Sequence, residues 1–363
     1  MDGSTGPTMP RNHRRQPASP SADPRMLSKV IVWVPGVVAL ILLAIYTTFQ
    51  VTPWPSALLM RRSMDAGGDN LARMLEKHSP PNIRAHLNEQ YDASDADAFL
   101  DVFYPSKFEY TNERLPTIVW LHGGAWVAGD KHHIATYLKV LAARGYAVAG
   151  VNYSLAPRKT YPTPLRQINT ALAYLTQNAE QLHIDPSRFV LAGDSAGAQI
   201  AAQLAAIINT PSYAKEVGIN PSVDRSRLRA VILYCGIYDI EKMKPLQSLR
   251  TIIWSNTRTM FWSYLGTRDY LKDPRMAQLS VIRHIAAGFP PIFISVGNAD
   301  PAASHSYQLA EVATRHGVTV DSLFFSATHM PPLRHEYQFD LDTDAGKLSL
   351  ERSVNFLKKL MQP

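Results

Sequence analysis

Short apolar runs recur from residue 99 onward, and most are followed by a stretch with helical spacing. The runs at 99–104, 117–121, 147–151, 188–192, 230–235, 291–296 and 320–325 read as strands. Helical patterns cover 133–144, 168–175, 196–208 and 348–360. A continuous apolar run such as 117–121 belongs to a strand covered on both faces, because alternation would leave one face wet. The run at 99–104 does alternate, and it stops at Pro105. Strands and helices in this order build a mainly parallel sheet with helices on both faces, since parallel neighbours are joined only by crossovers. One α/β domain is therefore expected over 98–363. Residues 240–288 are too long for a plain crossover and carry Trp254, Phe261, Trp262 and Tyr264, so they are expected to form a cap-like helical insertion.

The chain has 363 residues, 46% hydrophobic and 18% charged, a globular balance with enough material for a large core. Its formal charge of +7 raises the question of a polyanionic partner. Arg11, Arg14, Arg15, Arg25 and Lys29 crowd the N-terminus, however, and the other basic residues are scattered among acids. That distribution lacks the basic stripe of a nucleic-acid binder. Cys235 is the single cysteine, so neither an intramolecular disulfide nor a cysteine-based metal site can form. It ends the apolar run 230–235 and is expected as a small buried hydrophobe.

Residues 30–49 carry no charge and are dominated by Val, Ile, Leu and Ala. About 20 such residues in a helix span a bilayer core. A cleaved secretory signal would have a shorter apolar region and a small-x-small site, which 50–55 do not offer. The expected layout is a disordered basic tail at 1–26 and a transmembrane anchor at 27–49. A connector follows at 50–97, placed to cover part of the site and broken at Gly67-Gly68 and Pro80-Pro81. Five basic residues precede the uncharged run 30–49, while Arg61 and Arg62 are the nearest after it. The N-terminus is thus expected in the cytoplasm and the catalytic domain on the outer, periplasmic or extracytoplasmic, side.

Gly193-Asp194-Ser195-Ala196-Gly197 lies between strand 188–192 and helix 196–208. A tight strand-to-helix turn strains the serine backbone and lifts its hydroxyl off the sheet. The helix N-terminus adds amide donors and positive potential. Directly after strand 117–121 comes His122-Gly123-Gly124-Ala125-Trp126. Acyl transfer passes through an oxyanion, and preset backbone N–H groups stabilise it. Gly123, Gly124 and Ala125, with Ala196 behind the nucleophile, are expected to form that oxyanion hole, Gly124, Ala125 and Ala196 donating. His122 is read as a brace for the loop rather than a base. A serine also needs a base and an orienting acid. Asp300 follows strand 291–296, and His329 and His335 follow strand 320–325. The order Ser, Asp, His is that of α/β-hydrolases. His132 and His133 are adjacent instead of sharing a helical face, and no HExxH-like pair occurs, so neither metal nor cofactor is expected.

The motifs at 122–126, 152–157 (Asn-Tyr-Ser-Leu-Ala-Pro) and 193–197 together resemble the hormone-sensitive-lipase-like branch of α/β-hydrolase esterases. The chain is also similar to kynurenine formamidases and prenylcysteine methylesterases. The resemblance covers about 98–360 and implies a mixed eight-stranded sheet, a helical cap and hydrolysis of small carboxylic esters. Two departures stand out: Ala125 replaces a third glycine, and the usual His-Gly-Phe is absent. Spacing from the acid favours His329. Spacing back from the closing helix, with Tyr337 and Phe339 alongside, favours His335, and His335 is the assignment made, with 326–334 as a lengthened loop. The same triad would also serve an amidase, formamidase or acyltransferase, and folds of this type also occur as non-catalytic scaffolds.

Overall fold

The protein is described here by a computed structural model covering residues 1–3, 6, 24–243 and 256–361, without the side chains of 24–32, 34 and 256. Arg11, Arg14, Arg15 and Trp254, and with them almost all of the expected tail, lie outside the described residues. Two compact units are present, Met1–Val51 and Thr52–Pro363. The first contains helix α1, Pro24–Val51, which continues through Pro35. Leu40, Ile41, Leu42, Leu43 and Ile45 on it are all exposed. Among the described residues no single helix is long and apolar enough to cross a membrane, and 35–51 reaches that measure only when taken together with 54–76.

The second unit is built on one sheet of eight strands. In chain order these are β1 (Ile83–Gln90), β2 (Phe99–Pro105), β3 (Leu115–Leu121), β4 (Ala147–Val151), β5 (Ile184–Asp194), β6 (Leu228–Tyr234), β7 (Ile292–Val296) and β8 (Val320–Phe324). Their order in the sheet is β1-β2-β4-β3-β5-β6-β7-β8. β1 and β2 pair antiparallel with their neighbours, and the rest are parallel. Helices α2 (Trp54–Glu76), α3 (Ala135–Ala142), α4 (Thr163–Gln177), α5 (Ser195–Asn209), α6 (Pro211–Val217), α7 (Asn256–Leu265), α8 (Arg275–Leu279), α9 (Ala303–Arg315) and α10 (Asp344–Met361) complete the described unit. The sheet separates two cores. One holds α4 and α5 residues such as Leu172 and Leu204, the other α3 and α10 residues such as Leu138 and Leu357.

Two features of the connector differ from expectation. β1 lies inside 50–97 and belongs to the sheet; its exposed, mostly polar face gave no apolar run to read. The expected break at Gly67-Gly68 is absent, and α2 runs straight through it. A Cβ at Gly68 would collide with the His133 imidazole, so this glycine allows α2 to sit against the turn at 131–134. Close approach, not a turn, is what the residue supplies. α2 meets that region through polar residues one turn apart. Arg61 donates to the carbonyls of Val127 (2.5 Å) and Ala156 (2.9 Å). Asp65 Oδ1 accepts from Gly129 N (2.9 Å). Asp69 faces His132 and His133.

Lys131, in the 3-10 turn Lys131–Ile134, is buried and places its ammonium 2.8 Å from Asp101 Oδ1 and 2.9 Å from Asn88 Oδ1. Asp101 also accepts from Asn88 N (2.7 Å), at the irregularity in β1. Removing one partner of a buried pair leaves the other charge uncompensated, at about 3–5 kcal/mol. Asp101→Ala is expected to lower unfolding stability by that amount, read as a fall in the urea midpoint at unchanged m-value.

Candidate active site

The 193–197 turn joins β5 to α5 beside the end of β3, where Gly193 lies opposite Leu121. A Cβ at Gly197 would strike the Leu121 carbonyl, so the helix reaches the mouth of the sheet only with glycine there. Ser195 takes φ +49° and stays half-buried at the helix start. Of the nine non-glycine residues at positive φ among the described residues, five surround this point: Ala125, Trp126, Ser195, Cys235 and Glu336. Such backbone costs about 1–3 kcal/mol per residue and persists where surrounding packing enforces it.

His335 Nε2 is 3.0 Å from Ser195 Oγ, and its Nδ1 is 2.7 Å from Asp300 Oδ2. Asp300 is buried, and its other oxygen accepts from Ala302 N (2.7 Å) at the start of α9. His329 instead packs its ring on Phe325 and touches neither Ser195 nor Asp300. Asn298 brings about this arrangement. Its Oδ1 accepts from Leu333 N (2.9 Å) and its Nδ2 donates to the His329 carbonyl (3.1 Å), folding the 326–334 loop back over the end of β7. Beyond the loop, Tyr337 bonds Ser295 Oγ (2.6 Å), and Phe339 is buried edge-on against Tyr137.

The 122–126 loop is held from beneath. His122 Nδ1–H donates to the Gly123 carbonyl (2.7 Å), and its ring stacks on Tyr153. Tyr153 donates to the His122 carbonyl (2.7 Å), so the 152–157 motif braces the loop. Burial pushes His122 down to about 4, which keeps it neutral, as expected of a brace. One expected member of the hole needs correction. Gly123 N–H is already donated to Asp194 Oδ2 (2.7 Å), while Trp120 Nε1–H holds Asp194 Oδ1 (2.8 Å). Gly123 therefore shapes the loop, and Gly124, Ala125 and Ala196 keep N–H groups with no acceptor among the described residues. Trp126 turns away and stacks on Tyr264 of α7, with Phe261 nearby. Residues 244–255 of the expected cap-like insertion lie outside the described residues.

Two neighbours of His335 escaped the sequence reading. Cys235 is fully buried as expected, but it sits just past β6 with its sulfur beside His335 and Asp300. Nothing in a lone apolar-run cysteine signals that position. Glu336 stands 3.7 Å from His335 Nε2 and hydrogen-bonds Asp194. Burial raises both carboxyls, and for Asp194 the Glu336 charge adds to it. Burial lowers His335, but Cys235, Asp300 and Glu336 outweigh it and raise the imidazole above its ordinary value. Burial raises the Cys235 thiol as well. A base must be neutral to accept a proton, so activity should climb as pH rises through the His335 pKa. Glu336→Gln removes a carboxyl that favours the imidazolium. The acidic limb of kcat/KM should then move roughly half to one pH unit toward acid.

A cavity of about 600 Å³ runs beside His335 between α2 and the 331–337 segment, with Met64, Leu71 and Met74 on the helix side. The sheet, the strand-to-helix serine turn and the loop beyond β3 define an α/β-hydrolase of the hormone-sensitive-lipase-like branch, a carboxylesterase-like hydrolase. Residues 100–312 match the BD-FAE family model, and the chain belongs to that family. It is similar to carboxylesterase NlhH of Mycobacterium tuberculosis, 26% identical over 300 residues that cover 80% of this chain and 88% of that one. Kynurenine formamidase of Drosophila melanogaster is 30% identical over 174 residues, 46% of this chain and 53% of that protein. Esterase B from Lactobacillus rhamnosis has the same fold, with a TM-score of 0.68 at 22% identity over 84% of this chain and 96% of that one.

Proposed function

We propose that the protein hydrolyses carboxylic esters through an acyl-serine intermediate. Ser195 Oγ attacks the ester carbonyl while His335 takes its proton, and Asp300 holds the imidazole in the tautomer that leaves Nε2 free. The N–H groups of Gly124, Ala125 and Ala196 receive the oxyanion. His335 then protonates the leaving alkoxide, and water resolves the acyl-enzyme. The observation that carries this reading is the unbroken sequence of contacts from Asp300 through His335 to Ser195, 2.7 and 3.0 Å long. The apolar α2 side of the cavity suits an acyl or alcohol group of low polarity. An active-serine probe tests it directly: a fluorophosphonate should label the wild-type chain, and its failure to do so would remove the reading.

Hydrolysis of aryl formamides is the second reading, favoured by the likeness to a kynurenine formamidase. Comparing kcat/KM for an N-formyl arylamine with that for the matching aryl ester separates the two.

The proposal extends to location. Residues 27–49 anchor the chain as a single uncleaved span, N-terminus in the cytoplasm and catalytic unit outside. The uncharged run 30–49 and the exposed leucines and isoleucines of α1 support it. Full-length protein should sediment with membranes and resist carbonate extraction, and a chain starting at Thr52 should not. Recovery of the full-length chain in the soluble fraction would count against the anchor.

A further inference from the structure

Asp69, His132 and His133 form a group that the ester-hydrolase reading leaves unused. The adjacent histidines do not share an α-helical face, but in the 3-10 turn both rings reach the same carboxylate on α2. Asp69 Oδ1 lies 3.3 Å from His132 Nε2 and 3.5 Å from His133 Nε2. Charge-assisted hydrogen bonds between such groups are shorter, about 2.7–2.9 Å. A tetrahedral zinc site with legs of about 2.0–2.1 Å has edges of about 3.3 Å, close to both distances from Asp69 Oδ1, and all three donor atoms lie within 4.8 Å of one another.

We propose that Asp69 Oδ1, His132 Nε2 and His133 Nε2 bind one zinc-class divalent ion that ties α2 to the 131–134 turn. Water completes the coordination. Two imidazoles and a carboxylate are a donor set that zinc accepts. The outer contacts are those of a metal-binding histidine. His132 Nδ1–H donates to Asp130 Oδ1 (2.8 Å), which fixes the tautomer and leaves Nε2 with its lone pair toward Asp69. Asp130 is itself held by Asn152 Nδ2 (2.8 Å) and His132 N (2.9 Å). Carboxylates in this position orient the ring and raise its basicity. His133 is the buried ligand, its side chain 10% exposed, and Gly68 leaves the room it occupies.

The ion adds a third tie along α2 after Arg61 and Asp65, beside the cavity that Gly68, Leu71 and His133 line. Its effect is on the wall of the site rather than on the reacting atoms. Asp69 and His132 have side chains 53% and 56% exposed, so both can be replaced without opening the core.

Full-length protein stripped with a chelator is titrated with Zn²⁺ against a chromogenic competitor, alongside Asp69→Asn and His132→Gln. Wild type should bind one Zn²⁺ per chain and gain melting temperature as it fills. Either variant should melt like metal-free wild type and show at least tenfold weaker binding. Asp130→Asn should weaken binding by about ten- to a hundredfold through the ring it orients. No uptake by wild type, or unchanged affinity in both Asp69→Asn and His132→Gln, overturns the proposal.

Discussion

Ser195→Ala is expected to remove ester hydrolysis and fluorophosphonate labelling together, with kcat falling by about 10⁴–10⁶-fold. The magnitude follows from how the three side chains act as one unit. Without the hydroxyl no acyl-serine forms, and His335 and Asp300 lose the group they activate. What remains is water attacking an ester held in the oxyanion hole, worth about 10³–10⁴ over the uncatalysed reaction. Ser195 is half-buried at a helix start and loses only its hydroxyl in this variant, so the variant should fold and melt like wild type. Labelling that survives in Ser195→Ala would mean another serine is the nucleophile. Hydrolysis that survives would mean the ester is cleaved without a covalent intermediate.

His335→Ala should cost nearly as much as loss of the serine, whereas His329→Ala should stay within about twofold of wild type. Removing the base leaves Ser195 protonated at neutral pH, and a serine alkoxide is not otherwise accessible. Asp300→Asn should fall by about 10⁴-fold, because an amide can donate to Nδ1 and stabilise the wrong tautomer. His329 rests on Phe325, away from both partners, so its truncation removes only a surface ring contact. The comparison is made on kcat/KM for one ester across the four proteins. A large loss in His329→Ala with His335→Ala intact would reverse the assignment and imply that the 326–334 loop closes differently in solution.

These effects bear on how much the chain revealed before it was folded. The inner parallel strands were legible because each contains a short apolar run, which burial on both faces demands. Most helix ends moved by only a few residues. β1 was not legible, since an edge strand with a wet face carries polar residues and is defined by its pairing with β2. Gly67-Gly68 misled for a related reason. In sequence a glycine pair reads as a break, but here Gly68 is the space an imidazole from another segment requires.

The site divides along the same line. Ser195, the 122–126 loop and their order along the chain follow from local physics, because a strained strand-to-helix turn and a glycine loop must be written in consecutive residues. Asp300 at a strand end follows from the same local grammar. Which histidine meets Ser195 and Asp300 could not, since it depends on how far Asn298 draws the 326–334 loop back across β7. The Gly123 N–H is likewise withdrawn from the hole by Asp194, and Glu336 and Cys235 flank His335 because separate strand ends converge there. Asp69 meets His132 and His133 only after α2 docks. The sequence by itself determined the sheet, the strand-to-helix turn that presents Ser195 and the loop that faces it, since backbone conformation and burial are encoded by near neighbours. Only the tertiary structure decided which histidine serves, which N–H groups stay free and where an ion could sit, because those are distances between segments far apart in the chain.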